Sequence, residues 1–180
     1  MKTTLTIATF FALTVSALAS ATNPKDLDNW SSWSQVGQAQ LTMIFFDIYE
    51  SSLLSPTGEY LLGQDITPHP LALSITYQRD ISKKQLLDAT VEQWQKLGFE
   101  RRITMEWESR LEYIFPDIKK GNNLTYVTDG YTGKFYYSKR QFTQQLIGSI
   151  EEEALNDAFL AIWLSPETDY PRLRERLIGR

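Results

Sequence analysis

Residues 80–98 read D-I-S-K-K-Q-L-L-D-A-T-V-E-Q-W-Q-K-L-G, and every helix signal within them agrees with every other. Ser82 and Gln85 stand at capping-box spacing, where hydroxyl and side-chain amide satisfy each other's end-of-helix donors, and Ile81 and Leu86 are spaced as a hydrophobic staple. Gly98 supplies the left-handed stop. Between these caps Leu86, Leu87, Thr90, Val91, Trp94 and Leu97 recur at three- and four-residue steps, so one face of the helix must be buried. Immediately upstream, Leu71, Leu73, Ile75 and Tyr77 alternate with Ala72, Ser74, Thr76 and Gln78, which predicts a half-buried strand feeding the helix. A sheet is the natural partner for the helix stripe.

Downstream, residues 103–115 place Trp107, Leu111, Ile114 and Phe115 on one helical face, with Thr104 as N-cap and Pro116 forbidding continuation. A turn over 119–122 leads to a hairpin of 124–128 and 134–137, and a further strand is predicted over 142–147. Ser149 and Glu152 are spaced as a second capping box, followed by a stripe of Leu155, Ala158, Phe159, Ile162 and Trp163 that Ser165-Pro166 ends. Pro171 opens a last helix carrying Leu173 and Leu177; its Arg172, Arg174 and Arg176 face solvent or carbonyls, and Gly179 closes it. Upstream of the first strand, residues 35–49 predict one long strand with both faces apolar and buried, interrupted by Asp47, which needs a partner or solvent. Residues 55–58 mark a turn, and 22–33 are polar and irregular.

Composition narrows the functional classes. The chain has 180 residues, 42% hydrophobic and 13% aromatic, which suits a single domain over 22–180 whose core or pocket is lined by Phe, Tyr and Trp. A net charge of −4 without a basic stripe argues against a nucleic-acid partner. Cysteine is absent, which excludes disulfides, thiolate metal sites and cysteine nucleophiles, and neither metal nor cofactor is expected. His69 lies between prolines without a placed nucleophile and receives no role. Residues 1–21 read as a cleaved secretory signal: Lys2, an apolar run over 5–18 too short to span a bilayer, then small residues. Both Ala17-Leu18-Ala19 and Ala19-Ser20-Ala21 fit the cleavage rule, and the second is favoured. The expected product is a periplasmic chain beginning near Thr22, with no stable membrane insertion.

Three blocks carry a resemblance: R-D-I-S-K-K-Q-L-L-D-A-T-V-E-Q-W-Q-K-L-G, then F-P-D-I-K-K-G at 115–121, then the segment around I-W-L-S-P at 162–166 with Pro171, Arg174 and L-I-G at 177–179. Together, over residues 36–179, the chain resembles the exported bacterial branch of the chalcone isomerase-like family. The resemblance implies an α+β fold, a strongly curved antiparallel sheet with several helices packed on one face and a ligand cleft between the layers. The family's plant enzymes use an early-strand arginine, a threonine farther along that strand, and a tyrosine and asparagine at the central helix. Alignment on Trp94 places Ser82 and Ala89 at the last two positions, and Ile44 falls near the threonine, with Thr42 two residues away as a hydroxyl substitute. No arginine precedes Arg79, so the guanidinium that would stabilise an enolate, or hold a fatty-acid carboxylate in the plastid branch, is missing. No catalytic residue is therefore assigned. The expected function is non-catalytic binding of a small apolar or fatty-acid-like acyl ligand by Thr42, Ile44, Tyr49, Tyr77 and Arg79. The alternatives are an isomerase of the intramolecular lyase type acting through Tyr49, Tyr77 or Arg79, and a structural partner of an envelope protein.

Overall fold

The computed structural model describes residues 27–43, 46–63, 65–139 and 143–180. The predicted signal over 1–21, Ile44 and the strand start at Phe142 lie outside them. Six antiparallel strands form one sheet in sequence order: β1 (Ser34–Met43), β2 (Phe46–Ser55), β3 (Leu71–Tyr77), β4 (Asn122–Thr128), β5 (Gly133–Lys139) and β6 (Gln145–Ile150). Register shifts between Gln35 and Gly37, between Leu41 and Thr42, and between Phe135 and Tyr136 are the bulges that bend such a sheet into a curve. Between β3 and β4 the chain forms α1 (Lys83–Lys96) and α2 (Arg101–Ile114); after β6 it forms α3 (Glu153–Leu164) and α4 (Pro171–Leu177). The helices cover one face, giving the α+β architecture.

The central helix forms as its caps dictate. The Gln85 backbone N–H donates to Ser82 Oγ at 3.2 Å, the Ser82 N–H donates to Gln85 Oε1 at 2.9 Å, and Gly98 adopts φ +85°. Its buried stripe holds Leu87, Thr90, Gln93 and Trp94, and the Trp94 indole donates to the Ala158 carbonyl of α3 at 2.8 Å. Helix α3 lies directly against the sheet. Every residue of it from Leu155 to Leu164 except Asp157 is buried, because the sheet covers one side and the other helices the rest. The Phe159 ring meets Tyr126 of β4 at 4.8 Å and Phe135 of β5 at 5.0 Å, both edge-on.

Glycines on the inner face set how closely the outlying helices approach. A Cβ on Gly37 of β1 would stand 2.0 Å from the Arg176 carbonyl of α4, and one on Gly148 of β6 would stand 2.6 Å from Ile114 Cγ1 of α2. Both edge strands therefore need a missing side chain for the layer to close. On the outer face a short 3₁₀ helix, Leu27–Ser32, presses Leu27 and Trp30 onto Ala72, Val127 and Tyr136. Asp28 anchors it by accepting from Lys134 Nζ at 2.9 Å and the Tyr136 hydroxyl at 2.6 Å.

Four sequence expectations are corrected. Residues 35–49 form two antiparallel strands, β1 and β2, with Met43 opposite Phe46, and β1 is an edge strand with mostly exposed or half-buried residues. The apolar alternation there reflects pairing with a neighbour, and not burial on both faces. Asp47 is exposed and accepts from the Thr42 hydroxyl at 2.8 Å. Thr104 sits inside α2, fully buried, its hydroxyl donating back to the Arg101 carbonyl at 3.0 Å; Glu100 takes the N-cap position. Ser149 pairs with Lys134 inside β6, which runs on to Ile150 past the expected end at 147. Glu152 is the N-cap residue of α3 but makes no capping bond, because its carboxylate accepts from Arg110 and from the Trp107 indole. Residues 27–32, expected to be irregular, form the 3₁₀ helix because Trp30 has an apolar surface to cover.

Trp94 is fully buried and contacts Trp107 edge-on at 5.3 Å. Trp94→Ala removes that packing and the indole bond to the Ala158 carbonyl, so unfolding in urea should show a loss of about 3–5 kcal/mol. Trp163→Ala, on the α3 stripe, should lose a comparable amount. A midpoint close to wild type for either variant would remove that residue from the core.

Candidate functional site

The helical layer does not fill the inner face completely. A cavity of about 250 Å³ remains between β1–β3, the inner side of α1, and α3. Leu41, Ile48 and Ile75 from the sheet, Leu86 from α1, and Phe159 and Ile162 from α3 give it aliphatic and aromatic walls. Its exposed rim consists of Met43 from β1 and Gln85, Ala89, Glu92 and Lys96 from α1. The opening thus runs along the outer half of α1, where the helix leaves the sheet edge.

The polar groups divide between rim and floor. At the rim Lys96 Nζ contacts Asp169 and Glu92, each at 2.8 Å, and these partners hold the ammonium well above the ordinary lysine value, Asp169 foremost. Beside it Gln93 Nε2 donates to the Tyr170 hydroxyl at 3.4 Å. At the floor Tyr49 and Tyr77 are direct cross-strand neighbours with ring centroids 5.9 Å apart, edge to face. Their relative exposures are 8% and 5%. The Trp163 indole N–H donates to the Tyr49 hydroxyl oxygen at 2.8 Å. Among the described residues neither phenol proton has an acceptor. Burial pushes both phenols far above their ordinary value, opposed at Tyr49 by the Trp163 bond and reinforced at Tyr77 by the neighbouring Tyr49. Both therefore remain neutral donors at any physiological pH.

Of the residues singled out from the sequence, Tyr49 and Tyr77 are brought together on the floor. Thr42 is exposed, bonded to Asp47 and absent from the lining, because Leu41 takes the inward position at the bulge. Arg79 is exposed beyond the end of β3 and does not line the cavity. Ile44 lies outside the described residues. Of the two positions aligned with the family's helix tyrosine and asparagine, Ser82 is engaged as the N-cap and Ala89 offers only a methyl at the rim. Sequence reasoning missed Gln93, Trp163 and Tyr170 as lining groups. Gln93 could have been flagged, since it is an uncharged polar residue on the buried stripe between Thr90 and Trp94. Among the described residues no three His, Asp or Glu side chains come together as a metal site, and no helix is long and apolar enough to cross a membrane.

A family model described as chalcone isomerase-like matches residues 37–179. An uncharacterized protein of Haemophilus influenzae is 26% identical over 148 residues, covering 82% of this chain and 69% of that protein.

A second buried polar cluster lies at the far end of the inner face. The Tyr126 hydroxyl donates to Asn156 Oδ1 at 2.8 Å, Asn156 Nδ2 donates to Thr67 Oγ1 at 3.1 Å and to the Gly130 carbonyl at 3.3 Å, and the Thr67 hydroxyl bonds Asp157. It ties the loop before β3 and the β4–β5 turn to α3, a structural task. Burial raises the Asp157 carboxyl above its ordinary value despite the Thr67 bond, with Asp65 and Glu153 adding repulsion. Because the folded-state value is raised, ionisation costs stability above it, and that cost disappears below the unfolded value. Asp157→Asn keeps an acceptor for Thr67 without the charge. Its melting temperature should exceed wild type at pH 7, and the gap should close as the pH falls through the carboxyl range. A variant less stable than wild type at neutral pH would contradict this assignment.

Proposed function

Because the chain belongs to the chalcone isomerase-like family, we propose that it keeps the cleft between sheet and helices as a holder for a small apolar or acyl-type ligand and performs no chalcone cyclisation. The observation that carries this is the cavity itself: hydrocarbon walls, two neutral phenols on the floor, and charge confined to an ion-paired rim. Such a lining suits retention of an apolar molecule with one polar anchor.

Cyclisation makes a different demand. It needs an ionised phenol delivered to an enone and a cation or donor pair to stabilise the developing enolate. Among the described residues no arginine lines the cavity, and the aligned helix positions carry Ser82 and Ala89. An isomerase working through Tyr49 or Tyr77 as a base would have to ionise a phenol that burial keeps protonated. A purely structural role would be favoured by a cleft packed with its own side chains, and the cavity of about 250 Å³ speaks for a ligand instead. The compartment follows from the signal reading of residues 1–21, which supports release into the periplasm with the mature chain starting near Thr22.

Native mass spectrometry of protein purified from a periplasmic extract of its own host tests both parts. The expected result is a chain starting near Thr22 with a co-purifying apolar molecule, and chalcone turnover at the uncatalysed rate. An intact residue 1–21 segment in the membrane pellet would overturn the compartment. An empty protein, or one that cyclises chalcone well above background, would overturn the ligand-holding role.

A further inference from the structure

We infer that the polar end of the ligand is an uncharged carbonyl, that of an ester, amide or ketone, seated against the Tyr49–Tyr77 floor, and that the site discriminates against a free carboxylate. This rests on the ligand-holding reading and specifies the chemistry that the site selects.

The floor is built to donate. A phenol oxygen has one proton to give and lone pairs to receive, and at Tyr49 the Trp163 indole already supplies a donor to the oxygen at 2.8 Å. The Tyr49 proton must then point to an acceptor elsewhere, and among the described residues there is none. Tyr77, 5% exposed, likewise has a hydroxyl with no hydrogen bond among the described residues. The two hydroxyls line the same cavity with their protons unpaired among the described residues, so an acceptor that comes with the ligand meets two donors there. A carbonyl oxygen, with two lone pairs and no proton, meets that requirement.

Charge separates the carbonyl from the acid. Among the described residues the lining holds one cation, Lys96, and it sits at the rim with its ammonium taken by Asp169 and Glu92. Among the described residues nothing cationic reaches the floor. A carboxylate placed there would give up its hydration for two neutral donors, which is unfavourable without a paired charge. Carried the other way round, with its head at the rim, it would face Glu92 and Asp169 and leave both phenols unsatisfied. An uncharged carbonyl entering first satisfies the floor and lays its hydrocarbon along Leu86, Ile48 and Leu41 toward the rim.

Calorimetry of the mature protein with 2-octanone, octanoate and octane decides the matter. The expected order at pH 8 is the ketone tightest, with octanoate gaining affinity as the pH falls and the acid becomes neutral. Tyr77→Phe should weaken 2-octanone on the order of tenfold while leaving octane unchanged, the loss expected for one hydrogen bond. Should Tyr77→Phe fail to fold, Tyr49→Phe gives the same contrast, and the wild-type order of the three probes stands as a test by itself. Octanoate binding at pH 8 as tightly as the ketone, or a Tyr→Phe variant with unchanged ketone affinity, would overturn the carbonyl assignment and leave the holder intact. Binding of none of the three would overturn both.

Discussion

The rest of the structure depends on α3 having almost no exposed surface. A helix buried from Leu155 to its C-terminus cannot rely on water for its last carbonyls, so its neighbours must supply partners. At the C-terminal end the Arg174 guanidinium of α4 donates to the Leu164 carbonyl at 2.7 Å, and along the side of the helix the Trp94 indole of α1 donates to the mid-helix Ala158 carbonyl. Phe159 is the hub of the aromatic core, with Phe115, Tyr126, Phe135 and Trp163 around it at centroid distances of 4.8 to 6.3 Å. Each of those rings comes from a different element or its flank, so the core forms as a unit. A helix fixed on every side also cannot slide to close the gap beside α1, which is why the cleft persists in an otherwise close-packed interior.

Much of the fold was legible because its signals are local. The caps and stripe of α1, the β3 alternation, the β4–β5 hairpin and the Pro171 start of α4 are all written within a few residues of where they act. Misreadings arose where a local pattern met a stronger distant partner. The Ser149–Glu152 spacing is a genuine capping motif, yet Ser149 is held in the β5–β6 ladder and Glu152 by Arg110 and Trp107. The β1–β2 reversal has no glycine or proline between Met43 and Phe46, so nothing in the composition marks where one strand ends and the next begins.

The site was legible by the same measure. Tyr49 and Tyr77 occupy inward positions of their strands, and their juxtaposition follows once the β2–β3 register is known, which no single strand reveals. Thr42 was one residue out of phase: a bulge is invisible in composition, and the shift beside Leu41 sends the leucine inward and the hydroxyl to Asp47. Trp163 reads from the sequence as core filling, and so it is; that its indole N–H also orients a phenol 114 positions away in the chain is a tertiary fact.

That indole has an optical consequence. Of the five tryptophans, Trp30 and Trp33 lie across the sheet, Trp94 and Trp107 pair in the helical layer, and Trp163 alone among them lines the cavity. Indole emission follows the polarity of its immediate surroundings, and Trp163 stands where solvent and ligand exchange, beside the phenol it holds. The molecule therefore carries its own reporter of occupancy, with four spectators as internal reference, and filling of the cleft can be followed by intrinsic fluorescence without any label.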